Sequence, residues 1–148
     1  MAHEPIGAEV RRLVAARARG LCEYCLIHEL DTFFGCEIDH IVSRKHGGTA
    51  NPENLAYACM FCNRYKGTDL GSRLENRIEL IRLFNPRSDW WSEHFAIIGA
   101  EIVPRTDIGS VTCTILRMND TERLLEREAL RNAGMYPREE ALALLKSR

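Results

Sequence analysis

The sequence predicts an α+β chain in which a metal-braced core precedes a mixed extension, and three observations predict it. Two Cys-x2-Cys pairs, Cys22 with Cys25 and Cys59 with Cys62, share one spacing. Short runs rich in aromatic and β-branched residues lie between them. Segments with helical periodicity precede the first pair and follow the second. We assign residues 1–70 to the core and residues 71–148 to an extension of strands and then helices that packs on it.

Each element has its own warrant. Residues 7–19 place Val10, Leu13, Val14 and Arg17 at helical spacing, and Gly20 ends the run. Residues 33–42 (FFGCEIDHIV) read as strand, and residues 44–52 as a loop broken by Gly47-Gly48 and Asn51-Pro52. Residues 54–58 form a returning strand, and residues 62–70 open a helix. Beyond Gly71 the pattern weakens. Residues 78–84 and 95–103 suit strands or edge segments, and residues 111–116 (VTCTIL) suit a strand. Residues 119–133 form a helix, with Asn119 and Glu122 in capping-box register and Gly134 at its end. Residues 137–146 make a last short helix with Pro in its first turn. No internal repeat or low-complexity tract is present.

Composition narrows the function classes. The chain has 148 residues, 45% hydrophobic and 28% charged, which fits one globular domain with an appendage. No apolar run has the length of a bilayer span and the first ten residues carry no signal pattern, so a cytoplasmic protein without membrane contact is expected. A net charge of −1 excludes an indiscriminate polycation. Between His40 and Lys66, however, Arg44, Lys45, Arg64 and Lys66 stand against the single acid Glu53. Any nucleic-acid contact centres there and weakens with salt; the plain alternative is a few solvated surface cations.

The cysteine pairs carry the strongest signal. A Cys-x2-Cys turn converges two thiolates on one ion, and two such turns complete a tetrahedral sulfur shell that suits structural Zn²⁺. The 33 residues between the pairs form an insertion at the edge of that site. A redox dithiol or an iron centre is the alternative, but a dithiol needs one pair only, and neither pair has its usual strand-to-helix setting. Cys36 and Cys113 lack a spaced partner and read as small hydrophobes.

Between and around the pairs run Asp39-His40-Ile41, Gly47-Gly48, Asn54-Leu55, Cys62-Asn63 and Lys66-Gly67. In this order, from Cys22 to Gly67, the chain resembles the HNH endonuclease family of the ββα-metal (His-Me finger) class, in its four-cysteine zinc form. A looser likeness to the extension of small bacterial, stand-alone HNH proteins covers Leu83-Phe-Asn-Pro-Arg87, Trp91, His94-Phe95 and Leu116-Arg-Met-Asn119. Where family members often carry Pro, this chain has Ser43, which touches only the geometry of the strand end.

The resemblance implies a metal-dependent endonuclease that nicks or cuts double-stranded DNA and leaves a 5′-phosphate. His40 is the implied general base, a role suited to imidazole because its unperturbed pKa lies near neutrality. Asp39 and Asn63 are the implied oxygen ligands of a catalytic Mg²⁺ or Mn²⁺. Asp39 adjoins His40, so on a regular strand the two point to opposite faces, and the strand's end must reconcile them. Asn54 is expected to orient the base through a backbone carbonyl near His40. Arg44, Lys45, Arg64 and Lys66 are expected on phosphates, while His46 suits either a phosphate contact or an exposed loop. A single site cuts one strand at a time, so double-strand cleavage needs a homodimer or a second encounter. With no readout helix evident, a protein partner would confer specificity. The competing class is a non-catalytic zinc module that binds DNA or protein.

Overall fold

The computed structural model describes residues 5–146. Helix α1 (Ala8–Arg17) stops where Arg19 and Gly20 turn left-handed. Gly20 is required there twice over, since a Cβ would also lie 2.6 Å from His28 Nε2. Val14 is buried from this helix, whereas Leu13 faces outward.

Strands β1 (Cys36–His40) and β2 (Leu55–Cys59) pair antiparallel, with Cys36 opposite Cys59 and His40 opposite Leu55. The first strand is shorter than residues 33–42: Gly35 turns left-handed, and Phe33 and Phe34 stand exposed before it. A two-stranded hairpin is marginal alone, and this one is covered on both faces. Leu55 and Tyr57 pack with Val14 and Ala18 of the α1 side. Ala56 and Ala58 point the other way, into the main core. Helix α2 (Met60–Lys66) follows without a linker, two residues earlier than its sequence suggested. The reason is local: Cys59 is its N-cap, and the sulfur accepts from the Cys62 amide.

The extension holds a short ladder of β3 (Gly71–Ser72) and β4 (Ile81–Arg82), then α3 (Trp91–His94). A hairpin of β5 (Phe95–Ile98) and β6 (Glu101–Pro104) follows, turning at Gly99. Helices α4 (Asp107–Ile115), α5 (Thr121–Asn132) and α6 (Glu139–Lys146) complete it.

Residues 111–116 are therefore not a strand, for hydrogen-bonding reasons. Thr106 caps α4 through its hydroxyl, which accepts from Gly109 N at 3.0 Å. The Thr112 hydroxyl donates to Ile108 O within the helix at 2.7 Å and accepts from Phe84 N at 2.9 Å. These bonds and burial outweigh the β-branched composition. Asn119 does not cap α5 either; Asp120 holds that position. The Asn119 amide instead pairs with both backbone groups of Ile102, at 2.7 and 3.0 Å, and so extends the β6 edge.

One buried cluster runs from Leu21–Ile27 of the first cysteine turn through Phe84, Trp91, Phe95, Ile102, Leu116 and Tyr136. The extension thus encloses the first turn and fastens to its backbone: Trp91 Nε1 donates to Tyr24 O and the Tyr136 hydroxyl to Cys25 O, both at 2.8 Å. Arg138 grips Asp31 with two bonds of 2.5 and 2.6 Å. No helix among the described residues is long and apolar enough to cross a membrane. Tyr136→Phe removes a buried donor and strands a buried carbonyl, so it should cost about 1–2 kcal/mol in urea denaturation; unchanged stability would show that this bond does not fasten the extension.

Candidate metal centre and active site

The four cysteines meet. Cys22, Cys25, Cys59 and Cys62 are all buried, and their sulfurs lie within 4.8 Å of one another. Cys25 Sγ and Cys59 Sγ, from different turns, are 3.7 Å apart. A tetrahedral ion with bonds of about 2.3 Å to sulfur separates its ligands by roughly 3.8 Å, whereas a disulfide needs about 2.05 Å. The donor set therefore fits zinc. The Cys25 amide donates to Cys22 Sγ at 3.4 Å, and the Cys62 amide to Cys59 Sγ at 3.5 Å, as two thiolate-binding turns should.

Two groups seat the end of β1. Asn54, just before β2, receives Val42 N on its side-chain oxygen at 2.9 Å and donates to Val42 O at 2.9 Å and Thr49 O at 2.8 Å. Its own carbonyl accepts from Ile41 N at 2.8 Å. Asn54 thus staples the loop to the strand end, with the carbonyl of Val42, two residues from His40, and that of Thr49 as acceptors. Gly48 makes the staple geometrically feasible, since a Cβ there would fall 1.6 Å from Val42 O. Lys66 is the second group. Its ammonium reaches from α2 to Asp39 Oδ1 at 3.2 Å, His40 O at 3.0 Å and Ile41 O at 3.1 Å.

Lys66 is 2% exposed, so it is no phosphate contact; it is the counter-ion of a buried carboxylate and a tie on the backbone of His40. Asp39, 3% exposed, is correspondingly engaged on both oxygens, by Lys66 and by the Tyr24 hydroxyl at 2.7 Å. Burial raises the Asp39 carboxyl above the usual carboxylate range, and Lys66 and Tyr24 oppose that rise. Asp39 is therefore not a freely offered ligand: Lys66 lies 3.2 Å from each oxygen, although a carboxylate has about four lone-pair sites and these contacts leave part of them unused.

An open cleft of about 400 Å³ is lined by Asp39, His40, Ser43, Lys45, Asn63 and Thr68 among others. It brings together His40 from the strand end and Asn63 from the first turns of α2. Asn63 Nδ2 donates to Glu37 Oε2 at 2.7 Å, which turns the amide oxygen away from Glu37. Glu37 was missed in the sequence, yet it stands two residues before Asp39 and so on the same strand face. Arg44 and Lys45 line the cleft, with Lys45 exposed, and Arg64 is exposed on α2. His46 is exposed in the turn after them.

A second missed residue contacts the metal centre. Arg123 of α5 donates from Nη2 to Cys62 Sγ at 3.3 Å and lies 3.7 Å from Cys59 Sγ. No spacing rule links position 123 to the cysteines.

Residues 22–69 match the family model described as HNH endonuclease. The match is to this segment alone. It spans about a third of the chain and contains both cysteine turns, both strands and α2. No curated protein and no solved structure matches the chain.

Removing Lys66 should damage the HNH core rather than weaken a surface contact. Lys66→Met leaves Asp39 buried without its counter-ion, and about 3–5 kcal/mol of stability should be lost in denaturant melts. A variant that melts like wild type and only binds nucleic acid less tightly would return Lys66 to the phosphate contacts. Gly48→Ala should lower the melting temperature through the clash at Val42 O, and an unchanged melt would contradict the staple.

Proposed function

We propose that this protein is a metal-dependent endonuclease that hydrolyses phosphodiester bonds of DNA, with His40 as general base. The observation that carries the reading is the shared cleft of His40, Asp39 and Asn63 inside an HNH-family segment. A divalent cation such as Mg²⁺ or Mn²⁺, when bound, supplies Lewis-acid neutralisation at the phosphate and the leaving oxygen. Asn63 would hold it through the amide oxygen, and Asp39 through the lone pairs that Tyr24 and Lys66 do not use.

The chain's own residues do the rest. His40 takes a proton from the attacking water, and an imidazole titrates in the right range to do so. It needs a fixed orientation, because a general base must lie within hydrogen-bond reach of its proton. Lys66 and Asn54 provide this by holding the backbone at His40, Ile41 and Val42 from two different elements. Arg44, Lys45 and Arg64 meet the phosphates around the cleft, so affinity falls with added salt. The expected form of action is a nick per encounter; a homodimer or a specificity-conferring partner would serve double-strand cutting.

The test is incubation of the zinc-loaded protein with supercoiled plasmid and Mg²⁺, Mn²⁺ or EDTA. Relaxed circles should form with either cation and not with EDTA. His40→Ala should fold, retain zinc and lose at least about a hundredfold in rate, the scale of a general base. Full activity of that variant, or no cleavage by the wild type with any divalent cation, would reject the reading in favour of a zinc-bearing interaction module.

A further inference from the structure

The buried tetrathiolate has an electrostatic problem that its own turns do not solve. Four thiolates around a divalent ion carry a net charge of −2, and all four cysteines are buried. Isolated buried charge is expensive unless paired and hydrogen-bonded. The amide bonds of the two turns reach Cys22 and Cys59. Among the described residues, the donor recorded on Cys62 Sγ comes from outside the family segment, from Arg123.

Arg123 is built for that position. It is 3% exposed, its Nη1 donates to Leu116 O at 3.2 Å, and its guanidinium lies 5.5 Å from the ring centre of Phe61, within the second cysteine turn. The planar fork is thus held by a carbonyl and a ring face while Nη2 faces two sulfurs. Arg127, one helical turn further along α5, gives an internal comparison. It is also fully buried, but its donors go to Ala100 O at 2.7 Å, Met118 O at 2.6 Å and Asn119 Oδ1 at 3.0 Å. One arginine of α5 clamps carbonyls and the other faces the metal centre.

We propose that Arg123 is an outer-sphere residue of the zinc site, supplied by the C-terminal extension to neutralise Cys59 and Cys62 and suppress their reactivity. A hydrogen bond and a positive charge at a thiolate lower the energy of its lone pair. They make the sulfur a poorer nucleophile and raise the energy at which it transfers charge to the metal. The extension is on this account part of the metal centre and not only its cover. The inference requires the zinc site but not the nuclease activity, so the two can fail separately.

The test compares full-length wild type with Arg123→Met, Arg123→Lys and Arg127→Met. Zinc release under excess iodoacetamide is followed with a chromophoric chelator, and the sulfur-to-metal charge-transfer band is recorded after cobalt substitution. Arg123→Met should release zinc about tenfold faster, the lower end of the effect of removing a metal site's supporting hydrogen bonds. Its cobalt band should move to lower energy. Arg123→Lys keeps the charge without the fork and should fall between. Arg127→Met should lose stability while its release rate and band stay those of wild type. Wild-type rates and bands in Arg123→Met would overturn the proposal, as would equal changes in Arg127→Met, which would signify general loosening. Should Arg123→Met fail to fold, Arg123→Lys decides: a shifted band supports the assignment, and a wild-type band and rate refute it.

Discussion

Four cysteine sulfurs meeting at one buried point are the constraint on which the rest of this structure depends. The first cysteine turn follows directly from the end of α1, and the second joins β2 to α2 through Cys59, which is at once strand end, helix cap and ligand. Fixing those sulfurs therefore fixes where β2 ends and where α2 begins. From that origin Asn63 falls on the first turns of the helix and Lys66 one turn further. The pairing of β1 with β2 places His40 opposite Leu55, at the mouth of the same cleft. A structural zinc in this sulfur shell would contribute folding free energy directly, and the same frame positions the candidate base.

Around that frame, polar groups do work that apolar packing would do in a larger domain. Asp39, Tyr24 and Lys66 form a buried network with each charge answered, and the ammonium of Lys66 also gathers two carbonyls of the strand end. Glu23 receives Tyr57 N on its side chain, while its own amide donates to Tyr57 O, which closes the outer edge of β2. Arg17 completes that edge at Leu55 O. An exposed sheet edge is a site for unwanted pairing, and here side chains from the first turn and α1 occupy it. Burial raises the Glu23 carboxyl above its ordinary range, and the adjacent Arg87 guanidinium works against that rise.

Legibility in the sequence followed the range of the interaction. The cysteine turns, both strands of the hairpin and the start of α2 were readable within two or three residues, because ligand spacing, alternation and breakers are local. Asn54 was readable as a residue bonded to a carbonyl near His40, though not the Thr49 carbonyl or the Val42 amide as further partners. The motif lysine, Lys66, was read as a phosphate contact because its charge is visible in sequence and its burial is not. The bonds that Tyr24 and Lys66 make to Asp39 were invisible for the same reason. The extension was the least legible part: a Thr-rich, β-branched stretch at residues 111–116 became α4 through hydroxyl bonds to partners at positions 84 and 108. Arg123 carries no spacing signal, and only the packed chain brings it to the cysteine cluster; Glu37 shares the strand face of Asp39, but its bond to Asn63 needs the packed helix.

The most direct measurement on the central claim is X-ray absorption at the zinc edge of the purified full-length protein. The account predicts one zinc per chain with four sulfur neighbours at about 2.3 Å and no nitrogen or oxygen in the inner shell. A shell containing nitrogen or oxygen, or a protein that folds with those cysteines joined as disulfides and no metal, would contradict it.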